Sequence, residues 1–186
     1  MNLKWLEEKD ACSEGKEWWI KKGSKEDVFK VISDLKKEKQ YQWANWLLSR
    51  TFTKLQAVQY AIFAAEKVIG LFEKECPNDD RPRKAIEAAK AWLKEPTETN
   101  RAAYADYAAN AYAAANAYAA YAAAYAAYAA ATAADAANAY AAANAAANAA
   151  DAAAYAADAA ADAAAKQKMQ LKIINHGIEM LKAVKP

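Results

Sequence analysis

Between Thr97 and His176 the sequence contains neither glycine nor proline, and from Ala102 to Ala165 nearly every residue that is not alanine is Tyr, Asn, Asp or Thr. Alanine has the highest intrinsic helix propensity, so this whole region is predicted to be helical. About 80 residues rising about 1.5 Å each would make a rod about 120 Å long, against a diameter of about 40 Å for a compact domain of this length. The run therefore folds back on itself, or the molecule is a filament.

The larger side chains locate the expected bend. Tyr104, Tyr107, Tyr118, Tyr121, Tyr125, Tyr128, Thr132 and Asp135 hold one heptad phase, and Asn144, Asn148, Asp151, Tyr155, Asp158 and Asp162 hold another. The phases differ by about two residues, which in an unbroken helix would rotate the stripe by about 200°. A turn near Asn138 to Ala143 removes the conflict. The prediction is two long antiparallel helices, the second running on through Leu171, Ile174, Ile178 and Leu181.

Alanine faces let two helix backbones approach closely. The Tyr stripe has two readings: rings interdigitating in a core, or Tyr118, Tyr121, Tyr125 and Tyr128 lining a surface that receives a ligand or partner. Asp135, Asp151, Asp158 and Asp162 argue against membrane insertion, because each is costly in hydrocarbon. An ice-binding surface is set aside, since Thr132 stands alone among bulky tyrosines.

The first 96 residues are different in kind, rich in Lys, Glu and Trp. Leu3, Leu6 and Ala11 suggest a short helix, and Trp18, Trp19 and Ile20 an apolar cluster before a turn at Gly23. Ser24 and Asp27 resemble a capping box opening a helix at about Lys25. From Tyr41 the apolar period continues to Cys76, as one helix or two meeting near Arg50, and Pro77 stops it. Asp80 is placed as the N-cap of a helix that Pro96 ends. No segment alternates with period two. The expected architecture is an all-α, multi-helix bundle in one domain, residues 1–186, with a long Ala-rich antiparallel helical hairpin in its C-terminal half.

Chemistry is harder to find. The formal net charge of +2 falls short of the basic balance that nucleic-acid binding leaves in a sequence, so no nucleic acid is expected as partner. Cys12 and Cys76 lie far apart in a chain without a signal-peptide pattern, so reduced thiols in a cytoplasm are expected, with a bridge as the alternative. His176 is the one histidine, and neither cysteine has the local signature of a nucleophile. Metal-ligand spacings and phosphate-binding glycine loops are absent, so no cofactor is expected. The densest polar feature is CPNDDRPRKAIEAAKAW, where Asp80, Arg81 and Arg83 crowd a helix start. They either cap and rigidify that corner or bind an anion or a partner's carboxylates.

The succession ACSEGKEWW, YQWANWLLSR and FEKECPNDDRPRKAIEAAKAWL, followed by a long alanine-rich stretch and KQKMQLKII, resembles the immunity-protein-five-like family over nearly the whole chain. The most specific part is Pro77, Asp79, Arg81, Pro82, Arg83, Ala85, Ile86, Ala88, Ala89 and Trp92. The resemblance implies an all-helical, bacterial or phage-associated protein that protects cells from a toxin. The expectation is therefore a non-enzymatic protein that neutralises a protein toxin or effector by binding it. The alternative is a sponge that sequesters a nucleotide-like signal, with Tyr rings on bases and Arg81 or Arg83 on phosphate. A third is a structural protein that forms homo-oligomers through its alanine faces.

Overall fold

The computed structural model describes residues 1–97, 100, 110–111, 126, 129–130, 139–160 and 163–183. Among these the regular structure is all helix, in the order α1 (Leu3–Glu8), α2 (Ser13–Lys21), α3 (Val28–Lys37), α4 (Tyr41–Thr51), α5 (Lys54–Glu66), α6 (Ile69–Glu75), α7 (Arg81–Lys94), α8 (Ala139–Ala160) and α9 (Ala163–Ala183). The fold is all-α.

Local chemistry sets the boundaries. Cys12 caps α2 through its thiol, which accepts from Gly15 N at 3.3 Å. The next helix opens at Val28 rather than near Lys25, because Asp27 is the cap, accepting from Phe29 N at 2.8 Å and Lys30 N at 3.3 Å. Ser24 takes no part; it sits at φ 51° after Gly23 at φ 83°. Trp19 Nε1 donates to the Lys25 carbonyl at 2.8 Å and ties this turn down. The apolar run from Tyr41 breaks between Thr51 and Lys54, where Thr53 and Gln56 form a reciprocal capping box. Asp80 occupies the N-cap position of α7 without a side-chain cap bond; Asp79 Oδ1 instead accepts from Arg81 N at 3.1 Å.

The core is built on α4 and α5. Three hydrogen bonds set α8 antiparallel to α4: Gln42 to Tyr155, Asn45 to Asp151 and Arg50 to Asn144. Another series sets α9 antiparallel to α5: Gln56 donates to the Met180 carbonyl, Tyr60 lies under Gly177, and Phe63 stacks on His176 at 3.7 Å. Small residues permit this closeness. Ala57, Ala61, Ala64 and Ala65 of α5 are buried, as are Ala142, Ala146, Ala149, Ala150 and Ala153 of α8, which packs on α5. The alanines are thus packing surface.

Ala139 to Ala143, within the expected turn, are helical; Asn138 lies outside the described residues. The expected single run through Leu181 is covered by two helices, α8 and α9, that pack on each other, and residues 161–162 between them lie outside the described residues. The reason is length. An unbroken helix over residues 139–183 would extend about 67 Å, whereas α4 and α5 each offer only about 16–20 Å of partner. Doubling back lets both segments bury an apolar face on the same pair. The span Lys54–Glu75 is apolar enough to cross a membrane by length and composition, yet it is α5 and α6, with Val58, Tyr60, Ile69 and Phe72 buried in the core.

Candidate functional site

Cleft-lining side chains come from both halves of the chain. Trp18 and Trp19 of α2, Trp43 and Trp46 of α4, and Asn144, Asn148 and Asp151 of α8 surround a half-open cleft of about 370 Å3. Its apolar floor includes Leu6, Val31, Leu35 and Leu47. Trp18 meets Trp43 edge to face at 6.2 Å, and Trp5 backs Trp46 at 6.5 Å. Trp18 Nε1 donates to Glu38 Oε2 at 2.7 Å, and Lys22 pairs with the same carboxylate while its ammonium lies over the Trp18 ring. These contacts fix ring orientation before anything binds, which lowers the ordering cost of recognition.

The polar wall is held as firmly. Asn45 and Tyr60 are fully buried. The Tyr60 hydroxyl donates to Asn45 Oδ1 at 2.8 Å, and Asn45 Nδ2 donates to Asp151 Oδ1 at 3.2 Å. The buried amide thus orients a carboxyl at the cleft edge. Burial pushes the Asp151 carboxyl above its ordinary value, opposed by the Asn45 hydrogen bond and by Lys166. Burial, and then the nearby Asp151 charge, push the Tyr60 phenol well up. Arg50 donates to Asn144 and lies over the Trp46 ring at 5.3 Å.

A second, more polar recess of about 290 Å3 adjoins the first across Gln42, Trp43 and Asp151, which line both. Its other walls include Lys39, Tyr155, Lys166 and Gln170. Lys166 Nζ lies 4.3 Å over the Tyr155 ring.

The corner singled out in the sequence is engaged internally. Arg81 grips Asp79 with both Nε and a terminal nitrogen, at 2.9 and 2.6 Å, and holds its carboxyl below the ordinary value. Arg83 grips Glu73 in the same forked manner at 2.7 and 2.8 Å, and Asp80 pairs with Lys84 at 3.0 Å. Both forks rigidify the α6–α7 corner. Tyr118, Tyr121, Tyr125 and Tyr128 lie outside the described residues.

Among possible reactive groups, Cys12 and Cys76 are free thiols. Burial, ahead of the charges of Asp79 and Glu75, raises the Cys76 thiol. His176 is spent on stacking with Phe63, and burial followed by Lys67 lowers its pKa. Among the described residues no group of three or more His, Cys, Asp or Glu side chains is placed to hold a metal.

A sequence profile described as a family of unknown function, DUF6931, matches residues 31–181. The chain belongs to this family. No curated protein and no solved structure matches the chain. The DUF6931 match contains α4 and α8, which carry Trp43, Trp46, Asn144, Asn148 and Asp151, but it begins after α2. The tryptophan cleft therefore joins a wall from within the family match to a wall, bearing Trp18 and Trp19, that precedes it.

Sequence reasoning did not name this cleft. Its signals were present: six tryptophans with five in the first 46 residues, and the Asn144–Asn148–Asp151–Tyr155 stripe at helical spacing. What the sequence lacked was the pairing of α4 with α8 that brings them together.

Proposed function

We propose that this DUF6931 protein acts without chemistry, by capturing a small ligand in the tryptophan cleft, in the manner of an immunity or anti-defence protein that neutralises a threat by sequestration. The observation that carries this reading is the pre-set aromatic cleft with a buried Tyr60–Asn45–Asp151 chain at its edge. Ligand sites are typically concave, mostly apolar, about 300–1,000 Å3 in volume, and carry a few fixed polar groups. Holding Asn45 and Tyr60 in a dry core is costly unless every group is paired, and here each finds a partner.

A second reading is a protein toxin or effector whose anchoring side chain enters the same cleft. It is favoured by exposed apolar residues on the three N-terminal helices, Leu3 of α1, Ile20 of α2 and Phe29 of α3.

The test is mass spectrometry of protein purified from its own host under native conditions. A small molecule retained by the wild type and lost by Trp43→Leu supports sequestration. A co-purifying protein with no small molecule overturns it in favour of the second reading.

A further inference from the structure

The order of chemistries along the two adjoining recesses is specific: aromatic rings, then a carboxyl and an amide, then two ammonium groups. Trp18, Trp43 and Trp46 line the first recess; Gln42 and Asp151 stand at the junction; Lys39 and Lys166 line the second. From this order we infer that the composite cleft is a nucleotide site, taking a base among the tryptophans, sugar hydroxyls at Asp151 and Gln42, and a phosphate at Lys39 and Lys166.

Each part of that ligand answers a need of the wall. Every base has a π-face, and stacking on indole is tolerant of base identity. A carboxylate is a natural acceptor for ribose hydroxyls, the role that acidic residues take in dinucleotide-binding folds. The Asn45 amide already holds one Asp151 oxygen, at 3.2 Å, so the carboxyl is oriented in advance. Lysine ammonium groups are flexible point charges suited to phosphate. An uncharged aromatic compound would leave the cationic recess unused, and free phosphate would leave the indole surface bare. The inference rests on the sequestration reading and gives its ligand a chemical class.

Isothermal titration of the full chain with adenosine 5′-monophosphate, guanosine 5′-monophosphate, the two parent nucleosides and inorganic phosphate tests it. At least one nucleotide is expected to bind at least tenfold more tightly than its nucleoside, and phosphate alone not to bind measurably. Trp43→Leu should weaken nucleotide and nucleoside alike by tenfold or more. The pair Lys39→Gln with Lys166→Gln should weaken the nucleotide at least tenfold and bring it down to the affinity of its nucleoside. Equal affinity for nucleotide and nucleoside, no binding of either, or binding indifferent to Trp43 or to the two lysines overturns the nucleotide assignment. In each of those cases a Trp43-dependent small molecule from host-purified protein would still uphold sequestration; its absence as well would sink both.

Discussion

At Gly177 α9 lies close against the core, and replacing this residue with alanine sets two effects of opposite sign against each other. An added Cβ would lie 2.7 Å from Tyr60 Cε2, 3.1 Å from Leu48 Cδ1 and 3.3 Å from Phe52 Cζ. Tyr60 has nowhere to go, being fully buried with its hydroxyl held on Asn45 at 2.8 Å. Helix propensity alone would favour alanine by about 1 kcal/mol. Overpacking a tight core costs about 1–3 kcal/mol, and a contact under 3 Å with an immobile ring belongs at the upper end of that range. The expected net effect of Gly177→Ala is a loss of about 1–2 kcal/mol. Gly70 in α6 is the matched control, because a Cβ there meets nothing within 4 Å. Gly70→Ala is expected to gain about 0.5–1 kcal/mol. Urea unfolding measures both, with the midpoint moving down for one variant and up for the other at constant m-value. A Gly177→Ala protein as stable as the wild type would refute the seating of α9 on Tyr60.

Three further outcomes are expected. Asp151 has its folded pKa raised by burial, so its contribution to stability is fully present below the unfolded carboxyl value of about 3.9 and is lost as pH rises through the raised folded value. Asp151→Asn should therefore gain on the wild type in thermal melts as pH climbs from about 4, and parallel melting-point curves would contradict this. Thr53→Ala removes the hydroxyl that accepts from Gln56 N at 3.3 Å and should cost about 1 kcal/mol in urea unfolding; an unchanged midpoint would deny the cap a role. Arg83→Ala breaks a partly exposed fork on Glu73 and should cost less than about 1 kcal/mol, shrinking further in high salt, while ligand capture persists. Loss of capture in that variant would move the site to the α6–α7 corner.

Helix and alanine packing were legible in the sequence because both are local. Pro77 and Pro96 stop helices where the period ends, and the alanines of α8 are buried as small residues at helical spacing should be. Ser24 misled because capping-box chemistry cannot see that Trp19 ties down the Lys25 carbonyl six residues on. The packing of α9 back on α8 was equally invisible, since neither glycine nor proline marks a reversal there and the partner surface offered by α4 and α5 is a tertiary fact. The Asp80–Arg81–Arg83 cluster drew notice through charge density, yet its Arg81 and Arg83 forks close on Asp79 and Glu73. By contrast, Trp18, Trp43 and Asp151 looked like ordinary helix-face residues, separated by more than a hundred positions at the widest. Only the antiparallel register of α4 on α8 makes them one cleft.

The central claim is that this cleft is where the protein binds. A crystal structure of the full chain purified from its own host measures that directly. Continuous density for a bound molecule between Trp18, Trp43 and Asp151 is the expected result. An empty cleft, with a ligand or partner seated instead around Arg81 and Arg83, would contradict it.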